Sequence, residues 1–535
     1  MVGKMKILFV GAYEKGGARN RFYAPQLGLE RMAGFLRKKG HYIDIFDPNF
    51  EFAEIDDNKE KEFETFKKTI ENKDYKIIGF HTTDWTLPFD IELIEWAKKI
   101  YTTSIMVVGG QEATFNYKEI LKNSLADVII RGEGEKPIEE LISKIEAGLD
   151  IKNPVNLVRG GAIYDKERDR CYVKPNPQLT QEEFNEITLG MDFSRIPYER
   201  YWFLTEKLIG ERSDKRETRT IRLFTTNFCP HRCTFCSSTN FHDSAAGLRK
   251  NDNFLNIENP EIALGSDCSL LYSLNAKDLY RHVLDAIKSH PDVNNILLQD
   301  DEFVLIKPRV LEFCELIIKG KKNKEFPEHI AFMCQSRIDD MNEELLKPMS
   351  EANFKLIGYG VESFSQKILN AVRKKIKVEN INEIIDLTLK YNITPFINLI
   401  IFFPQADKED IIITIKNAFY WLEKGCQVAI EPYLMPLAGA EITSQGFDIF
   451  YKEFSIGDKK FKKGIFFIPY DTEVKKAALL FREEIDKVTS YFISKYKLKF
   501  SPTRLRSLFI IFTVSKLFGE KETCQRVGKY LDKIL

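Results

Sequence analysis

Three cysteines, Cys229, Cys233 and Cys236, are crowded into eight residues of the segment TNFCPHRCTFCS (226–237). Spaced four and then three positions apart on a loop, they can aim three thiolates at one iron–sulfur cluster. A four-iron cluster held by three thiolates keeps one iron open for a substrate, whereas a purely structural or electron-carrying cluster uses four. The other six cysteines (Cys171, Cys268, Cys314, Cys334, Cys426 and Cys524) lie far away in the chain. Two bland readings stay open at this point. A zinc site is possible with His231 or His242 as a fourth ligand, and so is chance clustering of core cysteines.

The surrounding pattern sets the context. The triplet follows directly on a β-rich run at 221–226, the first of six expected strands (221–226, 295–299, 329–336, 355–361, 395–403 and 428–435) separated by amphipathic helical stretches. Six βα units in a row imply a partial barrel with its chemistry at the carboxyl ends of the strands. A second βα series occupies residues 1–150, with strands expected at 6–12, 42–47, 76–83, 104–110 and 126–132. It predicts a doubly wound parallel sheet whose ligands bind beyond the strand ends, where the strand order reverses. The fold class is therefore α/β: a flavodoxin- or Rossmann-like domain (1–150), a linker (151–220) rich in proline and charge, a partial (β/α)6 barrel (221–440) and a helical C-terminal region (441–535).

Bulk properties narrow the function. The 535 residues are too many for one core, so two or three domains are expected. Lys plus Arg and Asp plus Glu both number 79, a balance that gives no electrostatic footprint for nucleic acid. The apolar runs at 398–403 and 508–514 fall well short of a membrane span, and the latter is expected to pack as a helix. A cytoplasmic protein with reduced cysteines, Cys171 and Cys268 among them, is expected.

The Cys-x-x-x-Cys-x-x-Cys loop with Phe235 before its last cysteine resembles the signature of the radical S-adenosylmethionine superfamily. The segment IGYGVES (357–363) is similar to that family's fifth-strand stretch beside the adenine, and NLIIFFP (398–404) to its sixth. QSRID (335–339) takes the place of the strand that touches ribose and carboxylate. The resemblance implies a [4Fe-4S] cluster on Cys229, Cys233 and Cys236. It also implies S-adenosyl-L-methionine contacts from Phe235, Asp300, Asp301, Glu302, Ser336, Arg337, Gly358, Gly360 and Glu362. One departure is that the family's Gly-Gly-Glu after the second strand reads Asp300-Asp301-Glu302 here.

The N-terminal domain is similar to the cobalamin-binding domain fused to many such enzymes, on the segments PQLGLERMA (25–33), GGQEAT (109–114) and ADVIIRGEGE (126–135) with Gly40 and Asp47. The resemblance implies cobalamin contacts from Gly11, Ala12, Tyr13, Thr82, Thr83, Gly109, Gly110, Gln111 and Glu133. Its first loop, AYEKGGA (12–18), lacks the histidine of metal-ligating members. His81 is expected to line the strand edge as a polar residue. Arg131, Glu133 and Glu135 are expected either to position a ligand between domains or to cap the next helix. The class implies reductive cleavage to a 5′-deoxyadenosyl radical, an electron donor such as flavodoxin or ferredoxin, and a small-molecule or peptide substrate. The expected reaction is methylation of an unactivated carbon. Rearrangement or cyclisation is the alternative within the class, and a redox sensor or a zinc-bearing RNA-modifying protein the alternative outside it.

Overall fold

Residues 6–10 read Lys-Ile-Leu-Phe-Val, an apolar run too short for a helix; runs of this kind pair as strands buried on both faces. The computed structural model describes residues 4–15, 23–55, 58–209, 218–247, 270–456, 459–495 and 502–534. In it this run is β1 (Lys6–Val10), flanked in parallel by β2 (Tyr42–Phe46) and β3 (Ile77–His81). The parallel sheet continues through β4 (Ile105–Gly109) and β5 (Val128–Ile130). Strand order reverses at β1, so the ends of β1 and β3 part above the sheet and open a crevice.

The segment read as a connection contributes more than a link. β6 (Gly161–Asp165) and β7 (Arg170–Val173) form an antiparallel hairpin that extends the same sheet from β5 to seven strands. Asp169 turns the hairpin in the left-handed region at φ 45°. The charged turn 165–170 hides the short alternating strands on either side of it. The helices Gln181–Thr188, opened by a Thr180–Glu183 capping box, and Tyr198–Ile209 then lead to the second sheet.

That sheet holds β8 (Thr220–Leu223), β9 (Asn295–Leu298), β10 (Ala331–Ser336), β11 (Phe354–Glu362), β12 (Thr394–Phe402) and β13 (Gln427–Tyr433). All pair in parallel in chain order, each joined to the next by helix, which gives the expected partial barrel. The C-terminal region is mainly helical as expected, with one addition: β14 (Ile449–Ile456) and β15 (Lys459–Phe467) form a hairpin before the helices begin. The helix Pro502–Leu517 packs on β13. Its apolar residues Leu508, Ile510, Ile511 and Val514 are buried in the barrel core, as helix packing requires. No helix of the described residues is long and apolar enough to cross a membrane. Cys268, expected to be a reduced thiol, and the glycines of the 12–18 loop beyond Lys15 lie outside the described residues.

Candidate active site

The loop after β8 carries the three cysteines and is tied down at several points. Thr225 and Thr226 donate their backbone N–H groups to the Asp300 carboxylate at 2.5 and 2.9 Å, and the Thr225 hydroxyl donates to it as well. Arg309 stands 3.6 Å from the same carboxylate. Thr234 donates its N–H to Val372 O at 3.0 Å, and Ile442 donates to Thr234 O at 2.9 Å. The loop is thus clamped between the end of β9, the helix end that follows β11 and the chain after β13.

Cys229, Cys233 and Cys236 all line one cavity of about 480 Å³ at the carboxyl ends of the strands. Burial pushes the Cys229 thiol up to about 12 and the Cys236 thiol up to about 11, with the Asp301 carboxylate adding to both shifts. Such thiols shed their protons to a metal. Among the described residues no three His, Cys, Asp or Glu side chains converge as a single ion requires. His231 faces Asp340 at 3.4 Å and His242 faces Asn227 O at 3.3 Å, which leaves the zinc reading without a fourth ligand. The donor set, three soft sulfurs around one cavity, fits an iron–sulfur cluster.

Cations back the sulfurs. The Arg337 guanidinium lies 3.8 Å from Cys233 Sγ and donates to Lys374 O at 2.6 Å. Lys374, buried against the Phe235 ring (5.8 Å to its centroid), pairs with Glu362 at 2.9 Å. Burial alone would discharge the Lys374 ammonium, but Glu362 and Cys233 outweigh it and raise its pKa. Glu362 takes a left-handed φ of 66° where β11 bulges against β12. Lys374 escaped the sequence reading because VRKKIK (372–377) has the pattern of a solvated basic run; only the fold turns it inward.

Asp301, Ser336, Gly360, Gln335 and Asn398 also line the cavity. The acidic trio divides. Asp301 is exposed and accepts the Ser238 hydroxyl. Asp300, expected as a ligand contact, lines the cavity and also accepts from Thr225 and Thr226 beside Arg309. Glu302 lies behind the wall, where it accepts the Arg337 N–H and the Ser336 hydroxyl (3.1 Å). Burial raises Glu302 to about 8, so it works as a buried strut. Gly358 likewise stands behind the wall, where a Cβ would sit 2.1 Å from Gln335 Oε1.

Two further cavities lie at the carboxyl edge of the first sheet. The larger, about 600 Å³, is walled by Ala12, Gln26, Asn49, His81 and Thr83 from the N-terminal domain and by Arg222, Phe224 and Gln299 from the barrel. Phe224 and Gln299 are shared with the cysteine-lined cavity, so the two adjoin. The Arg222 carbonyl accepts the Tyr198 hydroxyl at 3.5 Å, its guanidinium makes no hydrogen bond or ion pair among the described residues, and burial lowers its pKa. The smaller cavity, about 200 Å³ and mostly apolar, is walled by Met32, Gly109, Gly110, Glu133, Ile138 and Phe241.

Some expected corrin contacts point elsewhere. The Tyr13 side chain turns into the domain core and donates to Glu62 at 2.7 Å. Thr82 is buried, with its N–H on Gly109 O at 2.9 Å. Gln111 reaches across to donate to the Ser237 hydroxyl beside the cysteine loop. Gly11 lacks the Cβ that would collide with Gln26, whose side chain fronts the cavity in its place. Arg131 neither caps the next helix nor lines these cavities but ties the domains, donating to Thr114 O and, across the domains, to Ser244 O, both at 2.9 Å. Glu133 and Glu135 each lie 3.5 Å from Arg31 beside the smaller cavity.

Residues 16–142 match the model of the B12 binding domain, and residues 223–418 that of the radical SAM superfamily. The protein is a cobalamin-binding radical SAM enzyme. Its cofactors are the [4Fe-4S] cluster, S-adenosylmethionine and cobalamin. Among its relatives, an uncharacterized methyltransferase of Pyrococcus horikoshii is 24% identical over 395 residues, 74% of this chain and 73% of that one. An anaerobic magnesium-protoporphyrin IX monomethyl ester cyclase of Rubrivivax gelatinosus is 23% identical over 427 residues, 78% of this chain. The chain spans 66% of that cyclase's length. The cobalamin-dependent S-adenosylmethionine radical enzyme OxsB, solved with aqua-cobalamin bound, shares the fold at TM-score 0.64 and 14% identity, over 99% of this chain and 81% of that one. The radical S-adenosylmethionine methyltransferase TsrM from Kitasatospora setae, solved with tryptophan and a SAM analog, shares it at 0.60 and 12%, over 85% and 79%.

Proposed function

We propose that this enzyme is a cobalamin-dependent methyltransferase that acts on an unactivated carbon of a small molecule or peptide. The observation that carries the reading is the adjacency of the two large cavities: the cysteine-lined one and the interdomain one meet at Phe224 and Gln299. In this reading Cys229, Cys233 and Cys236 hold the cluster. Asp301, Arg337, Glu362 and Asn398 are placed to take the amino, carboxylate and ribose groups of S-adenosylmethionine, and Phe235 packs beside them. Ala12, Gln26, His81 and Thr83 would hold the corrin, and Gly109, Gly110 and Glu133 its nucleotide tail. When bound, these groups supply an adenosyl radical that abstracts a substrate hydrogen and a cobalt that carries the methyl.

The protein's own work is placement and exclusion of water. Arg337 and Lys374 offset the negative charge of the cluster. The Asp300 clamp fixes the loop, and the domain contacts through Gln111 and Arg131 close the chamber between the sheets. The Rubrivivax relative is named a cyclase, so cyclisation is the competing outcome. Anaerobic turnover with methyl-deuterated S-adenosylmethionine separates the two. Methyl transfer yields S-adenosylhomocysteine and 5′-deoxyadenosine in equal amounts, with label in the product. 5′-Deoxyadenosine without S-adenosylhomocysteine refutes the methyltransferase reading.

A further inference from the structure

The chain has seven histidines, and His81 is the one that lines the two cavities between the sheets. Its ring is fixed at one nitrogen. His81 Nδ1 lies 3.1 Å from Gln26 Oε1. The Gln26 amide cannot be turned over: Oε1 accepts the Ala12 N–H at 3.0 Å, and Nε2 donates to Ala12 O at 3.1 Å and to Asp47 Oδ1 at 3.2 Å. A reversed amide would set donor against donor and acceptor against acceptor at Ala12. Oε1 is therefore an acceptor toward His81, Nδ1 carries the ring proton, and Nε2 is left with its lone pair.

Nε2 has no partner among the described residues, and it is not among the sealed buried polar atoms, so it opens on the cavity space. The ring edge is held by backbone. Gly110 at φ 108° approaches so closely that a Cβ there would lie 2.6 Å from His81 Cδ2. Asp47, at the far end of the relay, is itself fixed by the Tyr201 hydroxyl at 3.0 Å and by the Asn49 N–H at 3.1 Å. Burial keeps the imidazole neutral, with its pKa lowered to about 4.

We propose that His81 Nε2 is an axial nitrogen ligand to the cobalt of the bound corrinoid, oriented by the Asp47–Gln26 relay. Neutral imidazole is a suitable donor to such a metal. A ligating histidine held at its other nitrogen by an amide oxygen, with a carboxylate behind it, is the outer arrangement that fixes tautomer and direction. This departs from the lining role expected of His81, and it rests on the reading that the corrin occupies the cavity between the sheets.

The test uses the full-length protein with its cluster oxidised, loaded anaerobically with cob(II)inamide. That probe has no nucleotide base, so any axial nitrogen must come from the protein. Corrin retention is read first from the visible spectrum. Failure to retain it overturns the cavity reading and this inference with it. With corrin retained, each cobalt hyperfine line in the electron paramagnetic resonance spectrum is expected to split into three. Labelling histidine with nitrogen-15 is expected to turn the triplets into doublets. Unsplit lines, or triplets that persist after labelling, overturn the ligand assignment and leave the cavity reading standing. His81→Gln is expected to abolish the splitting. The labelled wild-type protein decides the matter even where that variant does not fold.

Discussion

Cys233 is the one buried residue among the three cysteines, and its neighbour Arg337 shows how single residues set the chemistry here. A guanidinium 3.8 Å from the thiolate stabilises the more negative, reduced state of a cluster. Arg337→Met is therefore expected to make the cluster harder to reduce, read as a more negative midpoint in a redox titration. The Lys374–Glu362 pair is a different case. Both side chains are nearly enclosed, at 8% and 12% exposure, so removing one charge strands the other. Glu362→Gln is expected to cost about 3 kcal/mol of stability, by the precedent for broken buried pairs, checked as a lowered denaturant midpoint. The cysteine triplet was legible because its spacing carries the chemistry. Lys374 and the buried role of Glu302 were not, because a residue's burial depends on chain segments far away in sequence.

At the scale of elements, the helix Ser238–Ala246 joins the cysteine loop to the first domain. Ser244 O takes the Arg131 guanidinium, and Ala245 O accepts the Asn176 N–H at 2.8 Å. Gly132, at φ 76°, makes room for it: a Cβ there would lie 2.7 Å from Ala245 Cβ. Gly132→Val combines a disfavoured backbone with a collision. It is expected to open the domain interface, seen as faster proteolysis within the helix Ser238–Ala246 and as loss of retained corrin. The first sheet also carries a pH response through Asp90, which accepts the Tyr13 N–H at 2.8 Å. Burial pushes Asp90 up to about 8 from 3.8. The folded state thus keeps a proton that the unfolded chain has released above pH 4. Stability from this group is full in acid and falls as pH rises to about 8, by at most about 1.4 kcal/mol per unit. Glu112, raised by burial to about 7, acts in the same sense but finishes earlier. Asp90→Asn is expected to flatten the thermal midpoint of this domain between pH 7 and 8.

For the whole molecule, the two sheets have separate large hydrophobic cores: two clusters on the faces of the first sheet, and one that runs from the barrel into the C-terminal helices. Among the described residues they are bridged only by two small apolar clusters, Tyr23 and Ala53 with Tyr201 and Leu204, and Ile91 with Phe461. The contacts between them at the site are mainly polar. Calorimetry is therefore expected to show two unfolding transitions. The sequence by itself determined the two βα series and the crowded cysteine triplet, because period and spacing are local properties of a chain; the resemblance of its motifs then pointed to a corrin-type sheet beside a radical barrel. It did not reveal that β6 and β7 extend the first sheet. It also could not divide the acidic trio into a clamp, an open carboxylate and a strut, or turn His81 and Gln26 toward one cavity. Those outcomes depend on which segments meet across the fold and on the burial that follows, which only the tertiary structure decides.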